Sequence, residues 1–115
     1  YIQYAHARAC RILENGTDRD AAAKLGGVAP EELTLLQMIA QFPEEVQRAA
    51  EQFRPLLIAN YVYELAKAFS DFYHACPVLH SEEPTRSARL GIVDATRQTL
   101  SNGLALLGID APRVM

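Results

Sequence analysis

Two cysteines in 115 residues, Cys10 and Cys76, do not make a disulfide framework, so reduced and largely buried thiols are expected. No apolar run resembles a signal peptide or a membrane span, which points to a soluble, cytoplasmic chain with no membrane partner. Alternating apolar and polar residues, the mark of a half-buried strand, are missing throughout, and an all-α fold follows. Catalytic groupings are missing too. No Ser/His/Asp or Cys/His constellation stands out, and Gly26-Gly27 lacks the strand, spacing and Lys of a phosphate loop. His74, Cys76 and His80 are metal-ligand types, but Pro77 breaks the helix between them, Cys10 is distant and no C-x-x-C pair exists. Neither a metal site nor a catalytic residue is expected. The formal net charge is −3, and taken alone that argues weakly against nucleic acid.

What is present is one domain with 50% hydrophobic and 22% charged residues, an ordinary globular balance. The stretch Arg54 to Cys76 organises it. Ile58, Val62, Leu65, Phe69, Phe72 and Cys76 recur at steps of three and four, as one stripe along a helix about 33 Å long. Pro55 suits its first turn and Pro77 stops it. Four more helices are predicted around it. Tyr1 to Glu14 carries a narrow face of Ile2, Ala5, Ala9, Ile12 and Leu13, and ends at Asn15-Gly16. Thr17 to Ala29 reads as a surface connection with a turn near Ala21 to Leu25. Pro30-Glu31-Glu32 and Pro43-Glu44-Glu45 open two helices with Pro in the first turn and acids at the positive end of the dipole. The first of these buries Leu33, Leu36, Met38, Ile39 and Phe42, the second Val46, Ala49, Ala50 and Phe53. Thr85 to Leu107 turns Leu90, Val93, Leu100, Leu104 and Leu107 inward, and Gly103 within it marks a close helix crossing. Residues 109–115 are too apolar for a free tail and are expected to fold back on the bundle.

Charge is unevenly spread. Glu31, Glu32, Glu44, Glu45 and Glu51 face only Arg48 in the middle of the chain, whereas Arg8, Arg11, Arg86, Arg89, Arg97 and Arg113 make both ends basic. Tyr1, Tyr4, Arg8 and Arg11 share one face of the first helix, at steps of three and four. Rings interleaved with guanidinium groups suit unstacked RNA bases and their phosphates. The same spacing is met by tyrosines packed as amphipathic core beside solvated arginines. On residues alone both readings stand: an RNA-binding module, or a helical protein-interaction module.

Three stretches bear on that choice. Y-I-Q-Y-A-H-A-R (Tyr1 to Arg8), A-N-Y-V-Y-E-L-A-K-A-F-S-D-F-Y-H-A-C-P-V-L (Ala59 to Leu79) and D-A-T-R-Q-T-L-S-N-G-L-A-L-L-G-I (Asp94 to Ile109) together closely resemble the C-terminal anticodon-binding domain of the arginyl-tRNA synthetases. Asp94-Ala95-Thr96-Arg97 stands where the DALR motif of that domain falls, with Thr96 in place of its Leu. The resemblance implies a class Ia anticodon-binding bundle over residues 1–115, cut from the C-terminus of a larger monomeric ligase. It implies that the anticodon loop of tRNA-Arg meets Tyr1, Tyr4, Arg8, Tyr73 and the terminal Met115, with Arg11 and Arg89 as phosphate contacts. ATP and Mg, the HIGH-like signature and the KMSKS-like loop belong to the family's catalytic domain, the other implied partner. Neither signature is in this sequence, so arginylation of tRNA is expected of the parent enzyme and not of these residues.

Overall fold

A computed structural model of the chain describes residues 1–16 and 29–115. Among them are five helices and no strand: α1 (Ile2–Asn15), α2 (Pro30–Ala40), α3 (Phe42–Glu51), α4 (Leu56–Ala75) and α5 (Thr85–Leu106). The turn expected at Ala21 to Leu25 lies outside the described residues. No described helix is long and apolar enough to cross a membrane.

Helix α4 packs against α1, α2, α3 and α5, as its length and two-sided burial require. Its stripe of Ile58, Val62, Leu65, Phe69 and Phe72 is buried, and Tyr61, Ala66 and Ala68 widen it enough to serve several neighbours. Burial of each large apolar side chain here is worth about 1.5–3 kcal/mol. Helix α1 lies on α4 and α5. Its Ala5 and Ala9 are buried and small, so α1 can sit close to both. The predicted crossing at Gly103 is present: a Cβ there would lie 2.3 Å from Val62 Cγ1 of α4.

Helix α2 departs from the expectation. Leu33 and Leu36 are exposed, while Leu35 and Glu32 are fully buried. Every position but Thr34 and Gln37 between Leu33 and Ala40 is apolar, so the period alone did not select a face. Phe53, expected inward, is 91% exposed. It follows the end of α3 with φ at +52°, a left-handed conformation that redirects the chain toward Pro55 and turns the ring outward.

Arg89 is also corrected. Its Nε and Nη2 donate to Glu32 Oε1 at 3.2 and 2.8 Å, and its Nη1 donates to the Pro77 carbonyl at 2.7 Å. A carboxylate as buried as Glu32 needs a counter-charge, and Arg89 supplies it across 57 residues of sequence. The guanidinium ties α2, the α4–α5 connection and α5 together and is not presented to phosphate. Cys76 is buried in the same region, and burial, foremost, with the Glu32 and Glu31 charges, pushes its thiol up against the lowering influence of Arg89.

Candidate nucleic-acid interface

Helices α1 and α4 run in the same direction: the Tyr1 ring lies 5.5 Å from Tyr63, and the Arg8 guanidinium lies over Tyr73, about two to three turns further on. Both helices are seated on the same core. Ala5, Ala9 and Ile12 of α1 enter the same cluster as Ile58, Leu65 and Phe72 of α4. Residues one step round each helix from those stripes then meet at the seam, on the solvent side. Tyr1, Tyr4 and Arg8 occupy that flank of α1, and Tyr63 and Tyr73 that of α4.

Arg8 is the pivot of this seam. Its Cζ sits 4.9 Å from the Tyr4 ring centroid and 4.2 Å from that of Tyr73, and Nη2 lies 3.3 Å from Tyr4 Oη. Each cation–π contact at such an exposed site is worth about 0.5–1 kcal/mol, enough to restrict the rings without burying them. Tyr1 is 61%, Tyr4 45%, Tyr63 49% and Tyr73 38% exposed. These phenols are not core. His74 meets the Tyr73 ring edge-on at 5.2 Å, and Arg11 is exposed one turn beyond Arg8.

The far flank of α1 holds the C-terminal tail. Gln3 Nε2 donates to the Asp110 carbonyl at 2.9 Å and His6 Nδ1 donates to the Pro112 carbonyl at 2.7 Å. The tail therefore folds back as expected, but by polar ties and not by burying its apolar residues. Ile109, Val114 and Met115 remain exposed, Met115 at 62%. His6, 3% exposed, is a packed tether. Below the tail, a cavity of about 490 Å³ is lined by Cys10, Arg97, Asp94 and Arg113 among others. Arg97 Nη2 donates to Asp94 Oδ1 at 3.0 Å, joining first and last residues of the DALR-like motif on α5. Burial raises the Cys10 thiol, and the Arg97 and Arg113 charges partly offset it.

The structure thus brings Tyr1, Tyr4, Arg8 and Tyr73 onto one exposed seam, with Arg11 next to it, and sets the Met115 tail against the same helix. It removes Arg89 from the group and adds Tyr63, which sequence reasoning missed. The signal for Tyr63 was present in part: Tyr61 and Tyr63 stand two apart, so one had to face outward if the other was core. Among the described residues no three His, Cys, Asp or Glu side chains converge as a metal cage.

Comparison with known proteins identifies the family and the fold. The DALR anticodon binding domain family matches residues 2–115. An arginine–tRNA ligase of Methanospirillum hungatei is 47% identical over all of this chain, and one of Nitrosospira multiformis is 46% identical. The chain spans only about a fifth of the length of each, 20% in both cases. Thermus thermophilus arginyl-tRNA synthetase superposes over the whole chain with a TM-score of 0.93 at 39% identity, on 21% of its own length. A Campylobacter jejuni structure shares the fold, with a TM-score of 0.90 at 24% identity. Matched along nearly its whole length, with its arginine-bridged tyrosines outside and its DALR-like motif on α5, the chain belongs to the DALR anticodon binding domain family.

Proposed function

We propose that this chain is the part of a cytoplasmic, monomeric arginine–tRNA ligase that grips the anticodon loop of tRNA-Arg. The observation that carries the reading is Arg8 held between the rings of Tyr4 and Tyr73 on an exposed seam. An anticodon loop is single-stranded, so its bases can be splayed outward and stacked on rings, at about 1–3 kcal/mol per base. Tyr1 and Tyr63 form one platform, and Tyr73 with Tyr4 the next. Arg8 and Arg11 draw in the phosphates, which positions the loop without reading it. A cytosine as second anticodon base offers an amino donor and a carbonyl acceptor, which backbone groups near the tail can meet. The tail that carries Met115 is held to α1 through the Pro112 carbonyl at His6, and Met115 itself stays exposed beyond that tie.

Arginine attachment, ATP and Mg are assigned to the remaining four-fifths of such a ligase. No step of that reaction is placed on the described residues. The test is a fluorescence-anisotropy titration of a tRNA-Arg anticodon stem–loop at several salt concentrations. Wild-type chain should bind, with affinity falling as salt rises. Tyr73→Ala and Arg8→Ala should each weaken binding by about 1 kcal/mol or more while retaining helical content. Salt-independent or absent binding, or wild-type affinity in both variants, would sink the reading in favour of a protein partner on the same seam.

A further inference from the structure

Beyond Tyr73, where the seam ends, α1 and α4 leave a cavity of about 370 Å³ between their last turns and the chain that follows α4. We propose that this cavity is a second base pocket: it takes one extruded nucleobase, through its amino-bearing edge, next to the base stacked on the tyrosine seam. The inference rests on the anticodon-loop reading and extends it to a site of different chemistry.

Four features point to a base and not to a phosphate. The volume is that of a small-ligand site, several hundred cubic ångströms. The floor is apolar, with Ile12, Val78 and Leu79 offering flat packing for a ring. Two helices end here side by side, so the local dipoles present their negative ends and their last carbonyls. That field favours hydrogen-bond donors such as an exocyclic amino group and disfavours an anion inside the cavity. Finally, the polar rim is adaptable. Asn15 donates its Nδ2 to the Arg11 carbonyl at 3.0 Å and keeps Oδ1 as an acceptor, and the exposed His80 lines the same cavity. Arg11, also on the rim, is placed to meet the phosphate of the nucleotide whose base goes in. Tyr73 is common to seam and cavity, so adjacent nucleotides of one loop can reach both.

Abasic substitution tests this, position by position around the anticodon loop, against wild-type chain, Tyr73→Ala, and the paired variant Asn15→Ala/His80→Ala. Both residues of the pair are exposed, and circular dichroism checks that the helices persist. The pair should weaken binding of the intact loop about fivefold, the size expected for loss of one to two hydrogen bonds. That penalty should vanish for a loop abasic at one position, while Tyr73→Ala loses its penalty at a neighbouring position. A paired variant that binds every loop as wild type does, while Tyr73→Ala still weakens binding, overturns the pocket and leaves the seam standing. A penalty of equal size on every abasic loop also overturns it, since that is phosphate attraction alone. If Tyr73→Ala and Arg8→Ala have no effect either, the anticodon-loop reading itself has failed.

Discussion

Gly103→Ala isolates the contact that sets α5 against α4. The added Cβ would lie 2.3 Å from Val62 Cγ1, more than an ångström inside ordinary contact, while Phe42 Cε1 at 3.8 Å is undisturbed. Val62 is fully buried and, being β-branched, has little χ1 freedom with which to retreat. Overpacking of this kind costs about 1–3 kcal/mol. Against it stands the helix preference for Ala over Gly, about 0.8–1.0 kcal/mol. The packing term exceeds it over most of that range, leaving a net loss of up to about 2 kcal/mol, or up to roughly 12 °C in melting temperature for a domain this size. Thermal and urea denaturation followed by circular dichroism read it directly. A double-mutant cycle gives the sharper result. Val62→Ala alone should destabilise by creating a cavity, and adding Gly103→Ala to it should then stabilise by about 1 kcal/mol, because only the propensity gain remains. If Gly103→Ala stabilises the otherwise wild-type chain, α4 and α5 are further apart than described and the packing argument is wrong.

Arg89→Leu should cost about 3–5 kcal/mol by stranding the buried Glu32 charge, and Glu32→Leu in the same chain should recover most of it; urea midpoints for the three variants decide. Tyr61 donates to the Met38 carbonyl at 2.5 Å, and burial, then the Glu45 charge, pushes its phenol up to about 12. Because the folded value lies above the ordinary 10, this contribution is whole below pH 10 and is lost as pH rises through 12. A stability loss on the order of 2 kcal/mol in that window, absent in Tyr61→Phe, is expected in alkaline denaturation curves. His6→Ala should free the tail, seen as lower backbone order at Ala111, Arg113 and Val114 in 15N relaxation with the helices unchanged; unaltered order there would mean that something other than His6 holds it.

The long helix was legible because its period is unbroken and Pro55 and Pro77 bracket it. Gly103 does mark a close approach, whereas Gly91 in the same helix faces open space, so an internal glycine alone does not locate a crossing. The buried face of α2 was not, since apolar residues at 33, 35, 36, 38 and 39 satisfy more than one helical stripe. Phe53 was misplaced for a different reason: a left-handed residue just past α3 reverses the side-chain direction that helical periodicity assumes. Of the site, the Tyr1, Tyr4, Arg8 row could be read from one helix, because spacing within a helix fixes direction. Tyr63 and Arg89 could not. Their roles are set by contacts across elements, to Tyr1 on α1 and to Glu32 on α2, and spacing carries no information about either.

Five tyrosines, four on the seam and one in the core, offer the most direct test of the central claim. Ring-13C-labelled tyrosine, titrated with a tRNA-Arg anticodon stem–loop, reports each phenol separately by NMR. Saturable ring shifts at Tyr1, Tyr4, Tyr63 and Tyr73, with the buried Tyr61 unmoved, are the predicted result. Binding that leaves those four rings unshifted, or no saturable change at all, would contradict it.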